Sequence, residues 1–164
     1  MDIAEVKKLY MYNDWANARI LQTAEQISAA QLIAPTTHSH GDLRGTLIHT
    51  LNAEWTWRLR WQGVSPTTVL NAADLPTLQA IRVRWHTEEQ HMWAFLDTLH
   101  PADLVQMITY TTTKGVQSAQ PLWQLLWHVV LHGMQHRSEM AAMLTAYGYS
   151  PGNIDFIVFV REQG

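Results

Sequence analysis

The sequence predicts an all-α four-helix bundle, with a short hairpin between the third and fourth long helices and a short C-terminal helix. Three observations predict it. Apolar residues recur at helical spacing in four long stretches. Capping residues, Pro or Gly bound each stretch. Only residues 104–118 favour extended backbone. At 164 residues the chain is read as one domain, 1–164, large enough to bury a real core.

The first helix opens with Asp2 three residues before Glu5, a capping-box arrangement. Ile3, Val6, Leu9, Tyr10, Asn13, Ala16, Ile20 and Ile27 follow at helical period, and the segment is expected to end before Pro35. A second helix runs from about Asp42, the N-cap, to Trp61, with Gly63 and Pro66 stopping it. Leu47, Leu51 and Trp55 form its apolar stripe. The third starts near Asp74-Leu75-Pro76, where Pro suits a first turn, and Ile81, Trp85, Met92, Phe95, Leu96 and Leu99 carry it to His100-Pro101. In 104–118, Ile108, Tyr110 and a run of Thr precede Lys114-Gly115, which reads as strand, turn, strand. The fourth helix begins at Pro121 and reaches Tyr147, with Gly148 as its stop. Ile154, Phe156, Ile157 and Phe159 mark a last short helix over about 153–162.

Composition narrows the function. A formal net charge of -3 argues against a general nucleic-acid binder, which carries a basic face; Arg58, Arg60, Arg82 and Arg84 read as helix-surface residues. No stretch approaches the roughly 18 consecutive apolar residues of a membrane span. The first residues lack the basic-then-apolar pattern of a secretory signal, so a cytoplasmic protein is expected. The absence of Cys excludes disulfides, thiolate metal ligands and a Cys nucleophile. Thiol chemistry would need a thiol brought in from outside.

The residues with most chemistry are His132 and His136. Four apart on a helix, they share one face about 6 Å apart along the axis and can hold one metal ion. The residue after His132 is Gly133, so the Glu base of an H-E-x-x-H peptidase is missing. A catalytic metal usually takes three protein ligands, and His49, between Ile48 and Leu51 on the second helix, is the best third. His128, a turn before the pair, reads as a supporting residue. His38 and His40 fall in a Ser/Thr/Gly loop where solvated histidines are ordinary. His86 and His91 read as surface residues, and His100 as complementing a helix end. Arg137 and Glu139 are placed to orient ligands, to meet a substrate carboxylate or to form a solvated pair. The Trp stripe (Trp55, Trp57, Trp61, Trp85, Trp93, Trp123, Trp127) is expected to be mostly core packing.

Three pieces of the chain carry a resemblance: Tyr12-Asn13-Asp14-Trp15-Ala16-Asn17-Ala18-Arg19, His49, and Trp123 through Glu139 with His132 and His136-Arg137. In order and spacing they resemble the DinB-like family, metal-binding four-helix bundles related to bacillithiol and mycothiol S-transferases. The resemblance implies the up-down-down-up type of bundle and a divalent ion, most simply Zn²⁺ or Ni²⁺, on His49, His132 and His136. It further implies a cytoplasmic homodimer. It leaves activity open, because fold does not fix function. One expectation is a metal-dependent transferase in which the ion binds a low-molecular-weight thiol that attacks an electrophilic small-molecule substrate. A second is a metal-dependent hydrolase with Glu139 or Glu54 as base. A third is a non-catalytic, stress-related metal-binding dimer.

Overall fold

The structure, a computed structural model, describes residues 2–163. Helix α1 spans Ile3–Ala24, a short α2 Ala29–Leu32, α3 Leu43–Trp61, α4 Leu78–Leu96, α5 Leu122–Ala146 and α6 Phe156–Gln163. Strands β1 (Met107–Thr111) and β2 (Gln117–Pro121) form the hairpin between α4 and α5. The predicted caps act as such. Asp2 and Glu5 exchange backbone hydrogen bonds at the head of α1, and Asp42 accepts from Gly45 at the head of α3. Gly63 and Gly148, at φ +84° and +90°, follow α3 and α5 in the left-handed conformation that ends helices.

Among the boundaries that differ from expectation, two do so because a hydroxyl residue intervenes. The first helix stops at Ala24 rather than running toward Pro35, since Ser28 caps the separate turn α2. Thr77 caps α4, leaving Pro76 outside it. A local hydroxyl–amide bond outcompetes an otherwise continuous apolar period.

The four long helices are α1, α3, α4 and α5. Helices α4 and α5 each pack against both α1 and α3, so chain neighbours α1 and α3 lie across a diagonal. Side-chain partners give the directions. Glu54 meets Trp85 and Arg58 meets Glu88, so α3 and α4 run parallel. Tyr10 meets Leu126 and Asn13 meets Arg137, so α1 and α5 run parallel. Asp14 with Trp93 and Lys7 with Asp97 set α1 antiparallel to α4. The bundle is therefore up-down-down-up, and its parallel pairs need the long connections that the sequence supplies.

Two apolar clusters fill the interior. One gathers Val6, Tyr10, Leu96, Leu126, Val129 and Phe159; the other gathers Ile20, Leu47, Ile81, Trp85, Met140 and Leu144. A buried polar clasp also ties all four long helices. Glu54 of α3 accepts from Asn13 and Asn17 of α1 (2.8 and 3.0 Å) and from the indole of Trp85 of α4 (3.0 Å). Arg137 of α5 donates to the side-chain oxygens of the same two asparagines (2.7 and 2.9 Å). Gly133 makes room for it: a Cβ there would stand 2.7 Å from Arg137 Nη1 and 3.0 Å from Asn13 Oδ1. Arg137 is fully buried, correcting the solvated pair that its sequence neighbours imply.

Candidate metal centre

The clasp fixes the facing rotation of α3 and α5, and with it the histidines. His132 and His136 sit one turn apart on α5; His49 faces them from antiparallel α3. His132 Nε2 lies 3.2 Å from His49 Nε2 and 3.2 Å from His136 Nε2. Two imidazole nitrogens bound to one tetrahedral ion at about 2.0–2.1 Å stand about 3.3 Å apart. Each of the two spacings therefore suits a pair of ligands on one small divalent cation, with His132 common to both.

Each ring is prepared for that role. His136 is buried, and its Nδ1 is 2.9 Å from Glu139 Oε2. The carboxylate is in turn held by the Ser39 hydroxyl at 3.2 Å. Such a carboxylate keeps the proton on Nδ1 and leaves the Nε2 lone pair for a metal. Burial would raise the Glu139 pKa, but the His136 hydrogen bond and charge, helped by Ser39, bring it below the usual carboxylate value. Burial, then the neighbouring His40 and His136, lowers His49 to about 4. His132 also falls to about 4, through burial and then His136 and His49. Both rings are thus neutral near pH 7, as metal ligation requires. His132 Nδ1 is buried with no hydrogen-bond partner, so Nε2 carries all of that ring's polar contacts.

His40 corrects the sequence reading. It is half-buried, not solvated, and its ring stacks on His49 with centroids 3.7 Å apart. One nitrogen each from His40, His49 and His136 can be chosen within 4.8 Å of one another. No periodicity could reveal this, because the short backbone bridges of the 36–41 loop, Thr36 N–H to Gly41 O and Gly41 N–H to His38 O, bring His40 over the site. A cleft of about 330 Å³ opens beside His40 and His49, lined also by Arg44, Ile48, Asn52 and Leu70, a small-molecule scale. A larger cleft of about 690 Å³, along the start of α4, contains none of the histidines.

Other expected residues fall elsewhere. His128 is exposed; its ring lies 5.6 Å from His132 and 5.0 Å from Trp57, a supporting position. His86, His91 and His100 are exposed. Glu54, considered as a base, is committed to the clasp and five residues from His49, on another face of α3. Arg58 and Arg60 are buried rather than on the surface, at 7% exposure each. Of the Trp stripe, Trp61 and Trp85 are core, whereas Trp127 is 41% exposed.

With this geometry in place, comparison with known proteins is decisive for the family. The model of the DinB family matches residues 3–163. The chain belongs to the DinB family. Among solved structures it is similar to YfiT from Bacillus subtilis, described as a probable metal-dependent hydrolase with an unusual four-helix bundle topology. The two share 16% sequence identity, and the match covers 92% of this chain and 91% of that one with a TM-score of 0.65. No curated protein sequence matches the chain. Among the described residues no helix is long and apolar enough to cross a membrane.

Proposed function

We propose that this DinB-family chain holds a divalent cation, Zn²⁺ or Ni²⁺, on His49, His132 and His136 and uses it as a thiol S-transferase. The observation that carries the reading is that the Nε2 atoms of His49 and His136 each lie 3.2 Å from Nε2 of His132, a spacing matched to a tetrahedral ligand set. Such an ion supplies Lewis acidity, which lowers the pKa of a thiol or water bound beside the histidines. Glu139 fixes the His136 ring, and the clasp fixes α3 against α5. His40, arriving from a loop, is placed to enter or leave the coordination sphere.

Thiol transfer is favoured over hydrolysis by where the carboxylates lie. Both candidate bases are engaged, Glu54 with Asn13, Asn17 and Trp85, and Glu139 with His136 and Ser39. A thiolate needs no general base to attack. Its sulfur bonds to an electrophilic carbon as a carbon–halogen or epoxide C–O bond breaks; the thiol proton goes to solvent or to the new alkoxide. Hydrolysis by metal-activated water is the second reading, favoured by the description of YfiT.

Elemental analysis of the purified chain incubated with Zn²⁺ or Ni²⁺ should find about one ion per chain, lost in His132→Ala. The loaded protein should then consume a small thiol together with an epoxide or activated halide. No ion in the wild-type chain would sink the metal centre; a loaded protein that cleaves esters but leaves thiols untouched would favour the hydrolase.

The homodimer is proposed on one further feature. Trp127, Leu131 and Met134, at i, i+4 and i+7 on α5, are 41%, 54% and 48% exposed, an apolar stripe suited to a second copy. Sedimentation equilibrium should report twice 18.8 kDa; a monomer at micromolar concentration would remove the proposal.

A further inference from the structure

Arg58 and Arg60 leave α3 two residues apart and are equally buried, at 7% exposure. Their surroundings are opposite. Arg58 places its fork on Glu88, with Nη2 2.9 Å from Oε2, and Nη1 reaches Gln62 at 2.9 Å. Arg60 has no hydrogen-bond acceptor and no carboxylate within ion-pair distance among the described residues; its Nε is enclosed without a partner. What surrounds it is aromatic. The guanidinium carbon lies 4.6 Å from the ring centre of Trp57 and 5.1 Å from that of Tyr110. Its positive charge lowers the pKa of nearby His128, after burial.

An enclosed guanidinium N–H with no acceptor is costly, because its desolvation is uncompensated. Stacking on two aromatic faces offsets part of that and holds the fork rigid. It leaves Nε–H enclosed without an acceptor, while the Nη donors, which suit a carboxylate bidentately, bond to no described residue. This is the form of a site waiting for an anion.

Its place relative to the histidines says which anion. Arg60 follows His49 by eleven residues, three turns on the same face and about 16 Å along the axis. Helical side chains lean toward the N-terminus, so the long Arg60 side chain reaches back toward His49. A continuous line of rings joins the two ends: Trp57 to His128 at 5.0 Å and His128 to His132 at 5.6 Å.

We propose that Arg60 anchors the carboxylate of a small-molecule thiol whose sulfur reaches the His49–His132–His136 centre, with Trp57 and Tyr110 as its walls. This rests on the thiol reading above. The substrate class is then a thiol carrying a carboxylate roughly 10 Å from its sulfur, the helical rise less the reach of an arginine side chain. Arg60 positions the thiol and takes no part in bond making.

The test uses Zn²⁺-loaded wild-type, Arg60→Gln and Arg60→Lys proteins, with fold checked by circular dichroism and zinc content measured. Calorimetric titration compares 3-mercaptopropionate, 6-mercaptohexanoate and 8-mercaptooctanoate with 6-mercaptohexanol and 8-mercaptooctanol. In the wild type the longer acids should bind at least about tenfold tighter than the alcohols of equal length, the worth of a charge-assisted bidentate contact. Arg60→Gln should abolish that ratio while leaving the alcohols' affinity in place, and Arg60→Lys should keep part of it. Acids and alcohols binding alike in the wild type, or an unchanged ratio in Arg60→Gln, would overturn the anchor and leave the metal–thiol reading standing. If no thiol of either kind binds the loaded protein, the thiol reading falls and the anchor with it.

Discussion

Two polar regions lie within one turn of each other on α5, and they are built on opposite terms. The clasp of Asn13, Asn17, Glu54, Trp85 and Arg137 is closed but for Arg137 Nε, which is buried without a partner. Both oxygens of Glu54, both asparagine side chains and Nη1 of Arg137 have partners at 2.7–3.0 Å. The histidine cluster is open-ended, since its nitrogens point chiefly at one another and His132 Nδ1 has nothing. A satisfied network specifies how helices meet. The facing histidine nitrogens are partnered only by one another, in N–H···N contacts that the proposed cation would replace. The comparison teaches that the two regions are partnered differently: the clasp by carboxylate, amide, indole and guanidinium groups from four helices, the histidines chiefly by one another.

The sharpest way to break that contrast is Arg137→Met. It keeps much of the volume but leaves two asparagine oxygens and Glu54 without their cation. Breaking a buried charged network by removing one member costs about 3–5 kcal/mol, which at this size is about 10 °C or more in Tm. Thermal unfolding of the metal-free protein measures it. A loss below about 1 kcal/mol would show that the clasp does not hold the helices. Arg137 adjoins His136, so the metal-free state is needed to keep the two regions separate.

This contrast also explains which parts were legible from sequence. Helix ends were read closely where a cap is local, as at Asp42, Gly63 and Gly148, and missed where Ser28 and Thr77 started new helices. The facing of His132 and His136 was legible because i, i+4 spacing on a helix is a short-range property, and His49 does come within 3.2 Å of His132 from α3. The clasp was not legible, because Arg137 and its asparagines are 120 or more residues apart in sequence. Helix α3 adds a further reason. Thr46, Thr50, Glu54 and Arg58, four residues apart, form a buried polar stripe, so polarity there does not mark the solvent face. Thr46 and Thr50 satisfy themselves by bonding the carbonyls of Asp42 and Thr46, while Glu54 and Arg58 need α1 and α4. Arg60, on a different face of α3 from that stripe, is buried against Trp57 and the hairpin's Tyr110, and His40 was hidden by loop geometry.

A smaller effect, in pH dependence, sharpens the comparison because the two regions act with opposite sign. With metal removed by a chelator, His49 and His132 titrate near 4 in the fold and near the ordinary 6.5 when unfolded. Between those values the unfolded chain binds more protons, so stability rises with pH from about 4 to 6.5 and is level above. Asp14, next to the clasp and accepting from the Trp93 indole at 2.7 Å, is pushed up from 3.8 to about 8. Burial is the main cause and Glu54 adds to it. There the folded chain binds more protons, so this group's contribution falls as pH rises from about 3.8 to 8. Urea midpoints at pH 4.5, 6.5 and 8.5 should therefore show a maximum near 6.5. His132→Ala should flatten the acid limb alone. Asp14→Asn, which still offers an acceptor to Trp93, should flatten the alkaline limb, steepen the acid one and raise the midpoint at pH 8.5. If His132→Ala moved the alkaline limb, or Asp14→Asn the acid one without the other, the two regions would share one titrating network and the division between them would fail.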